Sequence, residues 1–403
     1  MDANQLVREY LLLGLRFDRL IDGFVDAYTG DPALRKLVAD EPKPDPAELR
    51  RSAQRLRADL PGAELSPERT RFLDAHLTAL ECSARKLAGE QVGFVDEVHS
   101  YFQVRIQPGD QDLYREAHRE LNDLVPGEGE LPERLAALRA ADEIPPERLE
   151  AAVRAFSSEL RDRVRAQCGL PEQETVEYEV VTDKPWSGFN YYLGEYRSRV
   201  AINADLGHRM ANLPSLVAHE AYPGHHTEHC RKEAGLVQRD GQLEQTIFLV
   251  NTPQCLMAEG LADLALYATV GKGWGLWAQE IFADLGLRMR GELMESLEGP
   301  LGKLLKVRQD AVLMLHDQGA DQDEVVAFLQ RWLMVSATRA RQMLRFMTDP
   351  LWRAYGSTYV EGYGLLRGWL DARPEGAELL PRFQRLLDEP LIPASIQAEL
   401  AAR

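Results

Sequence analysis

The stretch Ser215–His229, SLVAHEAYPGHHTEH, decides how this chain is read. Its first half is an apolar helical run that ends in the pair His219-Glu220. Two histidines one turn apart on a helix, with a glutamate after the first, form the HExxH pattern, in which both rings bind zinc and the glutamate activates water. Here the strict spacing fails. Position i+4 from His219 is Pro223, and the next histidines are His225 and His226, at i+6 and i+7. In a straight helix His226 would stand about 10.5 Å along the axis from His219, too far for two imidazoles to share one ion at about 2.0–2.1 Å. His225 would project from another face. Pro223 cannot donate to the carbonyl of His219 and disfavours helical geometry at Tyr222, while Gly224 accepts dihedrals that other residues resist. The sequence therefore predicts a kink or bulge over residues 222–224, able to swing His225 or His226 back toward His219.

Composition frames that reading. Four of the nine histidines (His219, His225, His226, His229) fall within 11 residues, where an even spread would place fewer than one. Clustered histidine beside a carboxylate is what a transition-metal site needs. The 403 residues carry 64 Asp+Glu against 47 Lys+Arg, a formal charge of −17, which argues against nucleic-acid or anionic-membrane partners. The four cysteines, Cys82, Cys168, Cys230 and Cys255, form no CxxC pair, as expected in a reducing compartment. The opening MDANQLVREYLLLGLRFDRL lacks a basic n-region, and Arg16 and Asp18 interrupt its apolar run, so neither signal peptide nor anchor is expected. No run of 18 apolar residues occurs, and the expected location is the cytoplasm.

Most of the chain carries helical periodicity. In residues 323–336, Val325, Val326, Phe328, Leu329, Trp332 and Leu333 recur at spacings of three and four. Residues 5–28 and 67–90 have the same character, with Ser66 and Pro67 supplying an N-cap and a first-turn proline. EPKPDP (41–46), PGEGELP (126–132) and IPPE (144–147) read as turns too short to isolate a domain. Residues 174–205, rich in Val, Tyr, Phe and Thr and broken at KPWSG, predict two or three strands of a small sheet. Helical patterning resumes near Asn212 and continues to the C-terminus. The expectation is a mostly α, single cleft-bearing domain, 1–403. It divides into an N-terminal helical half (1–170), a small β element (174–205) and a C-terminal helical half (206–403) that carries the metal site.

The segment HEAYPGHH resembles the HExxPGHH signature of the bacterial domain-of-unknown-function 885 family, whose members are similar to gluzincin zinc metallopeptidases. Looser similarities flank it: LGLRFDRLIDGFVDAYTGDP near the start, AEGLADLAL (258–266), and TDPLWRAYGSTYVEGYGLL (348–366), where a Tyr-x-x-Gly pattern runs from Tyr359 to Gly362. The resemblance implies a large helical metallopeptidase-like fold with a small sheet beside the cleft, and zinc bound within it. Carried over, His219 is the first ligand, His225 the second with His226 as its alternative, Glu259 the third, and Glu220 the general base. Three protein ligands leave the fourth zinc position for water. Tyr359 is implied as the oxyanion donor, with Tyr355 and Tyr363 as rivals.

Each residue also has a plainer role. The His219–His226 group could be a polar patch at a kinked helix end, and His229 is expected on a solvated face rather than as a ligand. Asp263 could orient a ligand imidazole or be a surface charge. Arg345 and Arg353 are candidate carboxylate clamps or ordinary salt-bridge formers. The strand FNYYLGEYRSRVAINADL could pair with an extended peptide or simply close the cleft, and Cys230 is expected to be an inert thiol. The function expected is a zinc-dependent hydrolase, foremost a metallopeptidase acting on a peptide or small amide. The alternatives are hydrolysis or transfer at a non-peptide amide, and a silent helical binding protein.

Overall fold

The computed structural model describes residues 1–184 and 186–402; Pro185, within the expected KPWSG breaker, and Arg403 lie outside the described residues. Helix α1 (Ala3–Asp18) begins at Asp2, whose side chain accepts from the backbone N–H of Gln5, and it buries Leu6, Tyr10, Leu13 and Phe17. It stops ten residues short of the end expected from its periodicity. Gly23 adopts φ +79°, the Asp18 carboxylate accepts from the N–H of Val25, and Val25–Tyr28 become strand β1. Helix α2 (Pro67–Leu87) starts as expected, with Ser66 capping Arg69 and Pro67 in the first turn. Helix α3 (Pro146–Gln167) closes the N-terminal half.

The β element contains three strands, β2 (Thr175–Val181), β3 (Gly188–Gly194) and β4 (Arg197–Asn203), in the order β2-β4-β3. Strand β2 runs parallel to β4, pairing Thr175 with Arg197, and β3 runs antiparallel, pairing Gly188 with Ile202. Strand β3 thus forms one edge, and its flank lies beside β1.

Beyond it come α4 (Leu213–Glu220), α5 (His225–Lys232) and strand β5 (Ile247–Leu249). Strand β5 corrects the expectation of unbroken helix to the C-terminus. It pairs antiparallel with β1, Val25 opposite Leu249 and Tyr28 opposite Ile247, so two short strands far apart in sequence complete each other. Helix α6 (Pro253–Asp263) is buried at every position from Pro253 to Ala262, the signature of an element surrounded by core rather than laid on it. Helices α7 (Val307–His316), α8 (Gln322–Leu333) and α9 (Ala337–Thr348) follow, then a π-turn over Thr358–Gly362 that runs into α10 (Tyr363–Asp371). On α8 the expected stripe is present, with Val325, Val326, Leu329 and Trp332 buried. The fold is mostly α with a small sheet. No helix among the described residues is long and apolar enough to cross a membrane.

Candidate metal centre

The expected break over 222–224 is a complete turn between two helices. Helix α4 ends at Glu220, the Tyr222–Pro223 peptide is cis, and the N–H of Gly224 donates to the carbonyl of Ala218 at 2.8 Å. A Cβ at residue 224 would lie 1.9 Å from the carbonyl oxygen of His219, so only glycine fits. The N–H and hydroxyl of Thr227 both donate to the Ala221 carbonyl, at 3.1 and 2.9 Å, and fasten the restart of α5.

The turn folds His225 back over His219. Their Nε2 atoms are 3.1 Å apart and their rings meet edge to face, at 4.7 Å and 89°. Glu259 on α6 completes the group, with Oε2 3.3 Å from His219 Nε2 and Oε1 3.7 Å from His225 Nε2. Two donors bound to one tetrahedral ion at about 2.05 Å stand about 3.3 Å apart, and the trio has that spacing. One ligand atom from each residue lies within 4.8 Å of the other two. Glu259 Oε2 is buried without a hydrogen-bond partner among the described residues, an arrangement that is costly unless a cation or proton occupies it. The donor set, two imidazoles and a carboxylate, therefore fits a zinc-type ion.

Neighbouring groups orient the trio. Asp263 Oδ1 is 3.0 Å from His219 Nδ1, which fixes the tautomer whose Nε2 lone pair faces His225 and Glu259. The Tyr355 hydroxyl donates to Glu259 Oε1 at 2.6 Å. Burial by itself would lower the His219 pKa, but the bond to Asp263 and the nearby Glu259 carboxylate outweigh it and raise it well above the ordinary value.

Glu220 is 5% exposed, and burial pushes its carboxyl up to about 7, the charge of His219 opposing and those of Glu259, Asp26 and Asp263 adding to the rise. Strand β3 lies directly against it: a Cβ at Gly188 would meet Glu220 Oε1 at 2.9 Å. Asn190 of the same strand donates to the Glu220 carbonyl at 2.7 Å, which satisfies an orphan acceptor at the end of α4.

The π-turn brings Tyr359 beside Tyr355, with ring centroids 5.9 Å apart. Its hydroxyl has no hydrogen-bond partner among the described residues; burial foremost, then the charges of Glu259, Asp263 and Glu220, keep it protonated. Tyr355, by contrast, is committed to Glu259, and Tyr363 stands beside Arg367. A glycine contact sets this arrangement: a Cβ at Gly260 would lie 2.6 Å from the backbone of Gly362, and one at Gly362 2.6 Å from the Leu256 carbonyl. The Glu-Gly and Tyr-x-x-Gly patterns are thus two sides of one backbone-to-backbone approach.

Several candidates stand elsewhere. His226 is fully buried and turned away from the trio, its Nε2 3.0 Å from Glu174 and its Nδ1 2.8 Å from Ser198 Oγ. Glu174 also accepts from Tyr222 at 2.7 Å, Arg161 at 2.6 Å and Arg165 at 2.9 Å. Burial opposes the charge of Glu174, but these bonds hold its carboxyl down to about 2. His229 is wedged between Tyr192, stacked at 4.5 Å, and Phe248, rather than solvated as expected. Its side chain is hemmed in because β3 and β5 cover that face of α5. Cys230 is buried with its thiol pushed well up by desolvation, and all four cysteines are free. Arg353 is paired with Glu97, and Arg345 is exposed. One site residue escaped the sequence reading. Asp26 on β1 has its carboxyl raised to about 7 by burial and then by the charge of Glu259. Its signal lies inside the N-terminal similarity, at VDAY, where the periodicity of residues 5–28 predicts helix.

No family model and no curated protein matches the chain. Among solved structures it is similar to an inferred lipoprotein from Colwellia psychrerythraea, at 14% identity and a TM-score of 0.53, over 88% of this chain and 67% of that one. It is also similar to an inferred lipoprotein of unknown function from Shewanella oneidensis, again at 14% identity and a TM-score of 0.53, over 89% and 73%. At that identity the shared property is the fold.

Proposed function

We propose that the protein is a zinc-dependent hydrolase of the gluzincin type, foremost a metallopeptidase, related to the domain-of-unknown-function 885 family. The observation that carries this reading is the His219–His225–Glu259 trio, with nitrogens 3.1 Å apart and a buried carboxylate oxygen facing them, directly beside Glu220. His219, His225 and Glu259 would hold the ion, whose chemistry is to polarise a carbonyl and lower the pKa of water. Glu220 takes a proton from water as its oxygen forms a bond to the carbonyl carbon, then delivers that proton to the leaving nitrogen as the C–N bond breaks. Burial foremost, then the like charges of Glu259, Asp26 and Asp263, favour the protonated form of its carboxyl. Tyr359 donates its free hydroxyl to the oxyanion, and β3 offers an edge against which an extended peptide can lie above Glu220.

Elemental analysis of the purified protein tests the centre. One zinc per chain is expected, lost in His219→Ala and kept in His226→Ala provided that variant folds. Zinc content unaffected by His219→Ala would end this assignment, and a loaded enzyme that cuts no member of a broad peptide library would move the reaction to a non-peptide amide. A cytoplasmic location belongs to the same reading, supported by four free cysteines, and cell fractionation checks it.

A further inference from the structure

A groove opens between strands β1 and β3. The two strands lie side by side but belong to different sheets, β1 paired with β5 and β3 with β4. They close at one end, where a Cβ at Gly194 would stand 3.2 Å from the Thr29 methyl group. Beside that contact lies an open cavity of about 420 Å³, within the roughly 300–1,000 Å³ of small-molecule sites.

Strand β3 joins this cavity to the general base. Gly188, Asn190 and Tyr192 share one face of the strand, about 6.6 Å from each to the next. Tyr192 lines the cavity, with its ring stacked on His229 at 4.5 Å. Asn190 donates to the Glu220 carbonyl at 2.7 Å, and a Cβ at Gly188 would meet Glu220 Oε1 at 2.9 Å. The groove therefore begins two residues along β3 from the contact with Glu220, and an extended chain laid on this strand over Glu220 runs into it.

Its walls are apolar and acidic. Tyr28, Tyr191 and Leu193 supply apolar surface, with Leu193 52% exposed, and the carboxylates of Asp18, Asp22 and Asp26 line the same space. Against these three stands one guanidinium on the groove, Arg35, which lies over the Tyr28 ring at 5.2 Å and forms an ion pair with none of them. Asp18 accepts from the N–H of Val25 at 3.0 Å, whereas Asp22 and Asp26 make no hydrogen bond or ion pair among the described residues. Asp26 is the inner member, enclosed by protein except where it meets the groove. Burial, then the charge of Glu259, raises its carboxyl to about 7. An enclosed carboxylate without a partner is costly, and a cation in the groove would offset that cost.

We propose that the groove is a substrate subsite that takes a positively charged group next to the bond that is cut, with Asp26 at its inner end pairing with the charge. The position relative to the bond rests on the hydrolase reading; the cation site rests on the groove. Tyr191 and Leu193 cover the carbon chain that carries the charge. The α-ammonium of a free N-terminus and a lysine or arginine side chain supply the same chemistry. The first makes the enzyme an aminopeptidase, the second an endopeptidase selective for basic residues.

Calorimetric titration of the full-length, zinc-loaded Glu220→Gln protein tests the subsite without turnover. The probes are tetra-alanine against its N-acetyl counterpart, and N-acetyl peptides that differ only in lysine against norleucine. In one pair the charged member is expected to bind about 10–100-fold more tightly than the neutral one, and which pair it is identifies the source of the charge. Adding Asp26→Asn, which keeps the size of the side chain, should abolish that preference at unchanged zinc content. Asp22→Lys, at an exposed position, should reduce it on an undisturbed fold. Equal binding within both pairs, no binding by any probe, or a preference that either substitution leaves intact overturns the proposal. If charged peptides bind through Asp26 but the unaltered protein cuts none of them, the hydrolase reading fails and the subsite stands. Cleavage indifferent to charge has the opposite meaning.

Discussion

At the residue scale the proposed reading divides labour between side chains that would hold a metal and side chains that would react. Tyr355 and Tyr359 lie four residues apart with rings 5.9 Å apart, yet only Tyr355 touches a candidate ligand. Tyr355→Phe should therefore weaken zinc binding about 10–100-fold, as loss of a group orienting a ligand does. Tyr359→Phe should leave zinc in place and reduce kcat about 10²–10³-fold. Chelator competition and steady-state kinetics on the two variants separate these roles, and interchangeable phenotypes would refute the distinction. Glu220→Gln keeps the size of the side chain while removing the base. Full zinc content with hydrolysis reduced about 10²–10⁴-fold is expected, whereas loss of zinc in that variant would show that Glu220 supports the metal instead. The choice between His225 and His226 was not legible in sequence. It depends on which way the chain leaves the turn, and that direction is set by the Thr227–Ala221 bonds and by Glu174, a residue 52 positions from His226.

At the element scale, long periodic helices and their caps were legible, because Ser66, Pro67 and the α8 stripe act through neighbours close in sequence. Strands β1 and β5 were not. They span four and three residues, too few for alternation to register, and each is a strand only because the other pairs with it. The break at Pro223 was legible, since proline and glycine act on their own backbone, and so was a swing of His225 or His226 back toward His219; which of the two the turn returns was not. The glycine contact between α6 and the π-turn belongs to this scale. Gly362→Ala places a methyl group 2.6 Å from the Leu256 carbonyl, so the two elements must separate. A stability loss of about 1–3 kcal/mol is expected, accompanied by a fall in kcat as Tyr359 moves relative to Glu259. Urea melts and kinetics on this variant should show both effects; unchanged kinetics would mean that the approach serves packing alone. Gly364, with open space around it, is the control.

At the scale of the whole molecule, buried histidines link stability to pH. Burial lowers the pKa of His76 to about 4, against the opposing bond to the Phe72 carbonyl, and that of His229 to about 3, helped by the charges of His225 and Lys232. Unfolded histidine titrates near pH 6.5, and each pH unit separating the folded and unfolded values is worth about 1.4 kcal/mol. Between these values the unfolded chain binds more protons than the folded one. Stability is therefore full above about pH 6.5 and falls as the pH drops toward 4. Denaturant midpoints at pH 7 and pH 5 should differ accordingly, and His76→Phe should show a shallower dependence; an unchanged slope would remove His76 from the account. The Glu174 network has a different kind of consequence. Every candidate ligand, Glu220 and both tyrosines lie beyond residue 206, whereas Arg161, Arg165 and Glu174, which anchor Tyr222 and His226, lie before it. A fragment beginning at residue 206 would hold a full set of reagents with no mould to shape them. Gene fusions, truncations and split versions of this protein should therefore keep residues 25–402 together, since strand β1 and Asp26 also belong to the site.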